Sequence, residues 1–165
     1  MLEIQKYLKE GKTFQELEAE LGVKAKVYDE GLIVLNYDQI NSPKAHPTVV
    51  QCRGLILDTQ FNVVSRSFDR FFNIGEQPET QAHLDWNKAI CFEKVDGSLI
   101  KIYNWKDQWY ISTRGTAFAE SGVNGFDITF KGLVLKALDC NEKQFQERCD
   151  YWLNKDVTYI CEVTS

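Results

Sequence analysis

The residues best suited to chemistry lie in one short segment, FEKVDGS, at residues 92–98. Lys94 follows an apolar stretch and precedes an Asp-Gly pair, so we expect it beside a tight turn at the mouth of a sheet. A lysine acts as a nucleophile only when its amine is deprotonated, and apolar surroundings or neighbouring cations favour that form. Arg53, Arg70 and Arg114 are candidates for such cations. The segment is therefore compatible with a nucleophilic lysine.

The same segment also fits a hairpin turn with an exposed lysine nearby. Asp-Gly is one of the commonest pairs at the centre of a tight turn between two antiparallel strands. Residues 94–98 by themselves leave both interpretations open, so the choice depends on the rest of the chain.

Helices and strands must hold this segment in place, and their patterns predict an α+β fold. Two short helices are expected first, with a capping-box pattern at Thr13 and Glu16 and a terminating glycine at Gly22. Strand patterns begin after Gly31, and two further helices are predicted over 127–138 and 142–153. The predicted strands are LIVLNY (32–37), CRGLILD (52–58), NVVSRSF (62–68), AICFEK (89–94), LIKIYNW (99–105), WYISTRG (109–115) and VTYICEV (157–163).

Composition limits the class of protein. The chain has 165 residues, 44% of them hydrophobic, which is enough for one compact core and a single domain over residues 1–165. Because no run of about 18 apolar residues occurs, we expect a soluble, cytoplasmic protein without a membrane partner. Five cysteines form an odd set without a Cys-x-x-Cys pair, which predicts reduced thiols, several of them in the core. The net charge of -5 argues against bulk attraction to nucleic acid but is compatible with a local basic pocket.

Three ordered segments carry a resemblance to a known family. KVDG (94–97) has the Lys-x-Asp-Gly signature of covalent nucleotidyltransferases, and within that superfamily the sequence resembles ATP-dependent RNA ligases of the T-even phage tRNA-repair type. The other two segments are CRGL (52–55) and SFDRFFN (67–73). The resemblance continues through STRGT (112–116) and CEV (161–163).

The resemblance implies a reaction, its cofactors and its partners. Lys94 would attack the α-phosphate of ATP, displace pyrophosphate and hold AMP covalently. The AMP would pass to a 5′-phosphate RNA end, from which a 3′-hydroxyl would displace it, so that RNA ends, including those of nicked tRNA, are the expected partners. Charge develops on phosphoryl oxygens in such a reaction, which calls for fixed cations and Mg²⁺. The implied fold has antiparallel sheets around a nucleotide-binding cleft, and a phage-encoded protein would act in the host cytoplasm.

Further site residues follow from the resemblance position by position. Arg53 and Arg70 match basic residues near the triphosphate, and Arg114 matches a later basic position, although the relative has lysine at the last two. Arginine makes forked contacts to phosphate. Phe72 matches the aromatic of the Phe-Phe-Asn element, whereas Phe71 is predicted to pack in the core. Asp96 would shape the turn or help orient Lys94. The remaining implied roles are a close backbone approach to the nucleotide at Gly97 and a ribose contact at Glu162.

Two later motifs of the superfamily are not found in the sequence. One is an acidic Glu-Gly strand that binds the metal, and the other is a Lys-x-Lys strand that grips the α-phosphate; KAK (24–26) lies far too early to be the second. We therefore assign no metal ligand in this chain and expect residues 1–165 to be the N-terminal part of an adenylylation domain. A shortened reading frame, an excised piece and half of a split enzyme completed by another chain are all compatible with this pattern. We expect the chain alone to ligate RNA poorly or not at all.

Other functions share some of these features. A DNA ligase or an mRNA-capping guanylyltransferase also carries Lys-x-Asp-Gly, but the Arg-Gly and Phe-Phe-Asn elements favour the RNA ligase branch. A non-catalytic nucleotide- or RNA-binding remnant is compatible with the missing motifs. A purely structural role leaves the three ordered motifs unexplained.

Overall fold

The computed structural model describes residues 1–77 and 84–164 of the chain. Its strands form two antiparallel sheets, ordered β1-β2-β3-β4 and β6-β5-β7. The predicted combination of helices with antiparallel sheets is confirmed. The helices are α1 (Glu3–Lys9), α2 (Phe14–Leu21), α3 (Pro47–Gln51), α4 (Phe130–Ala137) and α5 (Glu142–Trp152). The strands are β1 (Val23–Val27), β2 (Leu32–Tyr37), β3 (Arg53–Asp58), β4 (Val63–Ser65), β5 (Ser98–Trp105), β6 (Gln108–Ser112) and β7 (Tyr159–Val163).

The predicted capping box of α2 is confirmed. The Thr13 hydroxyl accepts a hydrogen bond from the Glu16 amide at 3.2 Å, and the Glu16 carboxylate accepts one from the Thr13 amide at 2.7 Å. Gly22 ends the helix with a φ of 64°, a left-handed conformation that glycine adopts at little steric cost. The chain can therefore turn directly from α2 into β1.

The first sheet is buried on both faces. In β2, Ile33 and Leu35 face α1 and α2 in one core. Leu32 and Val34 point to the opposite face and pack against the second sheet. Because successive strand residues alternate between two buried faces, β2 has an almost unbroken apolar sequence.

The second sheet places β5 at its centre. Ile100 and Ile102 pack with residues of α4 and α5, whereas Tyr103 faces the first sheet and joins the core between the sheets. Lys101 faces the same way, because its Nζ donates a hydrogen bond to the carbonyl oxygen of Gly54 in β3. The two sheets are thus stacked at β5, and residues from β3, β5 and β7 meet at one edge of the stack.

The strand predicted over residues 89–94 is wrong. Ile90 and Phe92 alternate with their neighbours as strand residues do, yet they are 77% and 85% exposed and the segment has no regular secondary structure. A strand needs a hydrogen-bonding neighbour, and none of the strands within residues 1–77 and 84–164 pairs with this segment.

Smaller differences also depend on pairing. Only Val63–Ser65 of the strand predicted over 62–68 pairs with β3, and residues 66–73 continue without regular structure. The sequence patterns do not predict β1, whose VKAKV sequence forms an edge strand through its ladder with β2, or the short α3. The two lysines of β1 suit an edge strand, where side chains stay in water.

The cysteines are spread over the chain and do not pair with one another. All five cysteines are free, and Cys52 and Cys149 are buried in the two helix-covered cores. In the part of the chain that the structure describes, no helix has the length and apolar character needed to cross a bilayer.

Candidate active site

A pocket of about 610 Å³ opens between the two sheets at the edge where β3, β5 and β7 meet. Both sheets contribute side chains to its wall, and Phe130 at the start of α4 also contacts it. Of the eight residues that the sequence predicts for the site, five line this pocket: Arg53, Lys94, Gly97, Arg114 and Glu162.

Lys94 reaches the pocket from the exposed segment that leads into β5. No carboxylate of the described residues lies within 4.0 Å of its amine. The turn that follows is closely packed, since a Cβ added at Gly97 would overlap the backbone oxygen of Val163 in β7. Glu162 lies opposite Leu99 in the β5–β7 ladder, so its carboxylate borders the same opening. Lys94 and Glu162 are thereby held at one end of the second sheet.

Arg114 is fixed by contacts to the first sheet. Its Nε donates to the side-chain oxygen of Asn36 at 2.9 Å, and its guanidinium carbon lies 4.4 Å from the centre of the Tyr37 ring. The guanidinium carbon of Arg70 lies at the same distance from this ring, so the two cations are within about 9 Å of each other. Burial lowers the pKa of Arg114, and the positive charges of Arg53 and Arg70 lower it further.

The arginine cluster, Arg53, Arg70 and Arg114, makes no ion pair with a carboxylate of the described residues. No carboxylate in residues 1–77 or 84–164 lies within 4.0 Å of these guanidinium groups. The Nη1 atoms of Arg53 and Arg70 are buried and lack a hydrogen-bond partner there. Burying a charged donor without a partner is costly, so the cluster is suited to an anion with several oxygen acceptors.

The other three predicted residues do not line the pocket. Arg70 is not a lining residue, although its charge acts on Arg114, and Phe72 is half-buried with its ring 5.7 Å from the Arg70 guanidinium carbon. Asp96 is exposed and is not part of the pocket lining. Two of the three predicted basic residues, Arg53 and Arg114, therefore face the opening, and Arg70 lies outside the pocket lining.

The predicted core position of Phe71 is wrong. Its ring is 58% exposed, lines the pocket and lies 4.7 Å from the guanidinium carbon of Arg53. Residues 66–73 have no regular structure, so strand alternation does not determine which phenylalanine points inward. Stacking with Arg53 explains why this aromatic ring lies at the opening.

Sequence reasoning missed residues that support or complete the site. Asn36 and Tyr37 end β2 and hold Arg114, but nothing in their local pattern indicates a partner almost eighty residues away. Glu93 lies beside Lys94 and was a detectable candidate, because a carboxylate next to a nucleophile motif can contact a metal or a ribose. Other pocket residues outside the prediction are Phe68, Val95, Ser98, Leu99, Thr113, Gly115 and Phe130.

Comparison with known proteins supports the same family that the motifs resemble. A family model described as RNA ligase matches residues 51–165. A protein of Autographa californica nuclear polyhedrosis virus, provisionally named a bifunctional polynucleotide kinase/RNA ligase, is 46% identical over 155 residues, covering 87% of this chain and 22% of the viral protein. An RNA ligase of Rhodothermus phage RM378 is 30% identical over 139 residues, covering 68% of this chain and 32% of the phage protein.

A third relative is similar over a shorter stretch. A protein of Thermovibrio ammonificans, provisionally named an RNA ligase, is 35% identical over 79 residues, which are 46% of this chain and 21% of that protein. The chain thus spans between about a fifth and a third of the length of these relatives. The family match covers all eight predicted site residues and more than half of the chain, and the chain therefore belongs to the RNA ligase family.

Proposed function

We propose that the chain carries the ATP-binding and lysine-adenylylating part of an ATP-dependent RNA ligase, and that the pocket between the sheets is its nucleotide site. The observation that carries this proposal is an exposed Lys94 at the same pocket as Arg53 and Arg114, two arginines that make no ion pair among the described residues. The substrates of the complete enzyme would be RNA ends with a 5′-phosphate and a 3′-hydroxyl, including those of nicked tRNA.

The first step of the reaction uses the Lys94 amine. In its deprotonated form, the Nζ lone pair attacks the α-phosphorus of ATP and forms a P–N bond, while the bridging α–β P–O bond breaks. Pyrophosphate leaves with that electron pair, and the amine proton passes to solvent. The 5′-phosphate of RNA then displaces the lysine and takes up AMP. Finally, a 3′-hydroxyl attacks this phosphate and releases AMP as the two ends join.

The arginine cluster supplies the fixed positive charge that this chemistry needs. Negative charge accumulates on the phosphoryl oxygens and on the leaving pyrophosphate, and preorganised cations stabilise it without reorganisation. Arg53 and Arg114 face the opening, so they are suited to direct contact with the phosphates. Arg70 adds positive charge near Arg114, and the Phe72 ring lies 5.7 Å from its guanidinium carbon.

The turn and β7 would hold the nucleoside. Gly97 lets the turn pack closely against Val163 of β7, because a Cβ there would overlap the Val163 backbone, and the turn would in this way border the nucleoside. Asp96 would shape the turn or help orient Lys94, and Glu162, which lines the pocket, would contact a ribose hydroxyl.

Magnesium would accompany the phosphates of ATP. Within the described residues, no group of three or more His, Cys, Asp or Glu side chains could hold a metal by itself. Mg²⁺ commonly binds through one or two carboxylates together with substrate phosphates, and Glu93 is a pocket carboxylate suited to that mode. When bound, the ion would neutralise charge on the phosphate oxygens.

Covalent labelling tests the proposal. Two proteins are incubated with α-labelled ATP and Mg²⁺, with chelator and excess GTP as controls. One is the chain itself. The other is the chain extended in frame by the segment that follows the matching region in the Autographa californica nuclear polyhedrosis virus relative. We expect the extended version to take up label that chelator removes and GTP does not, and the chain alone to take up less. If the extended version takes no label, the adenylylation proposal fails, and ATP binding without label would identify a non-catalytic nucleotide-binding protein.

Each arginine that faces the pocket is expected to contribute to nucleotide affinity. Arg53→Gln and Arg114→Gln should each raise the dissociation constant for ATP by about 10-fold or more, because a charge-assisted hydrogen bond contributes about 1.5–3 kcal/mol. Titration calorimetry with a non-hydrolysable ATP analogue measures this change.

Arg66→Gln is the matched control for these variants. Arg66 is exposed and paired with Asp69 at 2.7 Å, outside the pocket, so its replacement should change affinity less than about 2-fold. Equal affinities for the wild-type chain and the Arg53 and Arg114 variants would show that the phosphates bind elsewhere.

A further inference from the structure

Lys101 is a fully buried lysine outside the proposed chemistry. Its side chain has 0% exposure, and no carboxylate of the described residues lies within 4.0 Å of it. Lysine is almost never fully buried unless a specific partner compensates it. The recorded partner is the carbonyl oxygen of Gly54, to which the Lys101 amine donates a hydrogen bond from the second sheet to the first.

Gly54 forms a bulge next to Arg53. In the β2–β3 ladder, Leu35 pairs with Leu55 and Asn36 pairs with Arg53, so Gly54 has no partner of its own. Its φ of +71° is left-handed, as glycine permits in a bulge. Such a bulge changes the direction of neighbouring side chains, and here the neighbour Arg53 lines the pocket.

The bulge also contacts the backbone of Arg114. A Cβ added at Gly54 would lie 2.7 Å from the Arg114 carbonyl oxygen and 3.0 Å from its Cα. The segments that carry Arg53 and Arg114 therefore touch at Gly54. The Lys101 amine donates its hydrogen bond to this same glycine. Lys101 lies two residues after Leu99, which lines the pocket.

We infer that Lys101 is a positioning residue, which holds the Gly54 bulge so that Arg53 and Arg114 face the same phosphates. The inference rests on the proposed function, because it assigns Lys101 a role through the arginines that are proposed to bind ATP. Lys101 would not contact the nucleotide, because it is fully buried and is not part of the pocket lining.

The protonation state of Lys101 should make this positioning effect depend on pH. Burial lowers the pKa of Lys101 to about 7. The charged or titratable groups on the surrounding strands are Arg53 and Asp58 on β3, Tyr103 on β5, Tyr110 on β6, and Tyr159, Cys161 and Glu162 on β7, with Arg114 after β6. Burial is the cause of the shift. The ammonium form makes a stronger hydrogen bond to a carbonyl than the neutral amine does, so the bulge is held more firmly as the pH falls through about 7.

The test compares Lys101→Met, which lacks a donor, with Lys101→Gln, which keeps a neutral donor. ATP affinity is measured at pH 6 and pH 9 for both variants and for the wild-type chain, with thermal melting as the check on folding. At pH 6, we expect Lys101→Met to raise the ATP dissociation constant about 5- to 10-fold and Lys101→Gln to raise it less. The ratio of variant to wild-type constants should shrink at pH 9, and the titration of ATP itself cancels in that ratio.

Lys143→Met is the control, because Lys143 is an exposed lysine on α5 with 85% side-chain exposure. It should leave affinity unchanged at both pH values. A folded Lys101→Met chain with wild-type affinity overturns the inference. If Lys101→Met does not fold, Lys101→Gln decides, and wild-type ATP affinity at pH 6 for the folded Lys101→Gln chain overturns it. Loss of the proposed function has a different signature, in which the wild-type chain does not bind ATP or Arg53→Gln binds as the wild type does.

Discussion

Replacing Lys94 by alanine is expected to abolish covalent labelling by α-labelled ATP, with a loss of at least about 1,000-fold in the extended version of the chain. Among the described pocket residues, Lys94 is the one lysine, and Lys101 below it is inaccessible. Stability should change by less than about 0.5 kcal/mol, because the Lys94 side chain is exposed and makes no ion pair within the described residues.

Lys88→Ala is the matched control for Lys94→Ala. Lys88 is 84% exposed, lies six residues earlier and pairs with Asp85 at 3.2 Å, outside the pocket. It should label at the wild-type rate. Mass spectrometry of the labelled chain should find one AMP on the peptide that contains Lys94, with the acid-labile behaviour of a P–N bond. Label on another residue, or retained label in Lys94→Ala, would contradict the assignment.

Replacing Gly97 by alanine is expected to slow labelling by about 100-fold, because small displacements of a reacting group have effects of that size. The added Cβ would overlap the Val163 backbone oxygen and lie 3.2 Å from Cγ of Glu162. Backbone atoms cannot rotate away as a flexible side chain does. Either the turn moves and displaces Lys94, or β7 separates from β5 and displaces Glu162. Overpacking of this kind should also lower the free energy of unfolding by about 1–3 kcal/mol.

Gly122→Ala distinguishes this steric effect from a general loss of glycine. Gly122 has an ordinary φ and no heavy atom within 4 Å of an added Cβ. We expect this control to keep the wild-type labelling rate and the wild-type urea midpoint. The prediction for Gly97 is wrong if Gly97→Ala labels as fast as Gly122→Ala.

Local patterns predicted the elements whose stability depends on neighbouring residues in the chain. The α2 helix begins at a capping box and ends at Gly22, and both signals act over one helical turn. The apolar runs of β2, β3 and β5 likewise mark strands that are buried on both faces. Residues 89–94 show the limit, because a strand also needs a partner and alternation does not supply one.

Motifs identified some residues of the site, and the tertiary structure determined others. Lys-x-Asp-Gly and its companion motifs pointed to Lys94 and to the RNA ligase family, and the family is shown by the match over residues 51–165. The catalytic role of Lys94 stays a prediction. That Phe71, and not Phe72, lines the opening depends on the path of an irregular segment after β4. No periodicity describes such a segment.

The sequence by itself determined the residue types for the chemistry, namely one lysine beside an Asp-Gly turn and three arginines in separate segments. Only the tertiary structure decided that Arg53 and Arg114 share a pocket with Lys94, that Arg70 lies outside the pocket lining and that Lys101 donates a hydrogen bond to the Gly54 bulge. The physical reason is distance along the chain. Tyr37 and Arg114, like Gly54 and Lys101, interact only because the two sheets stack, and stacking depends on the burial of both cores together.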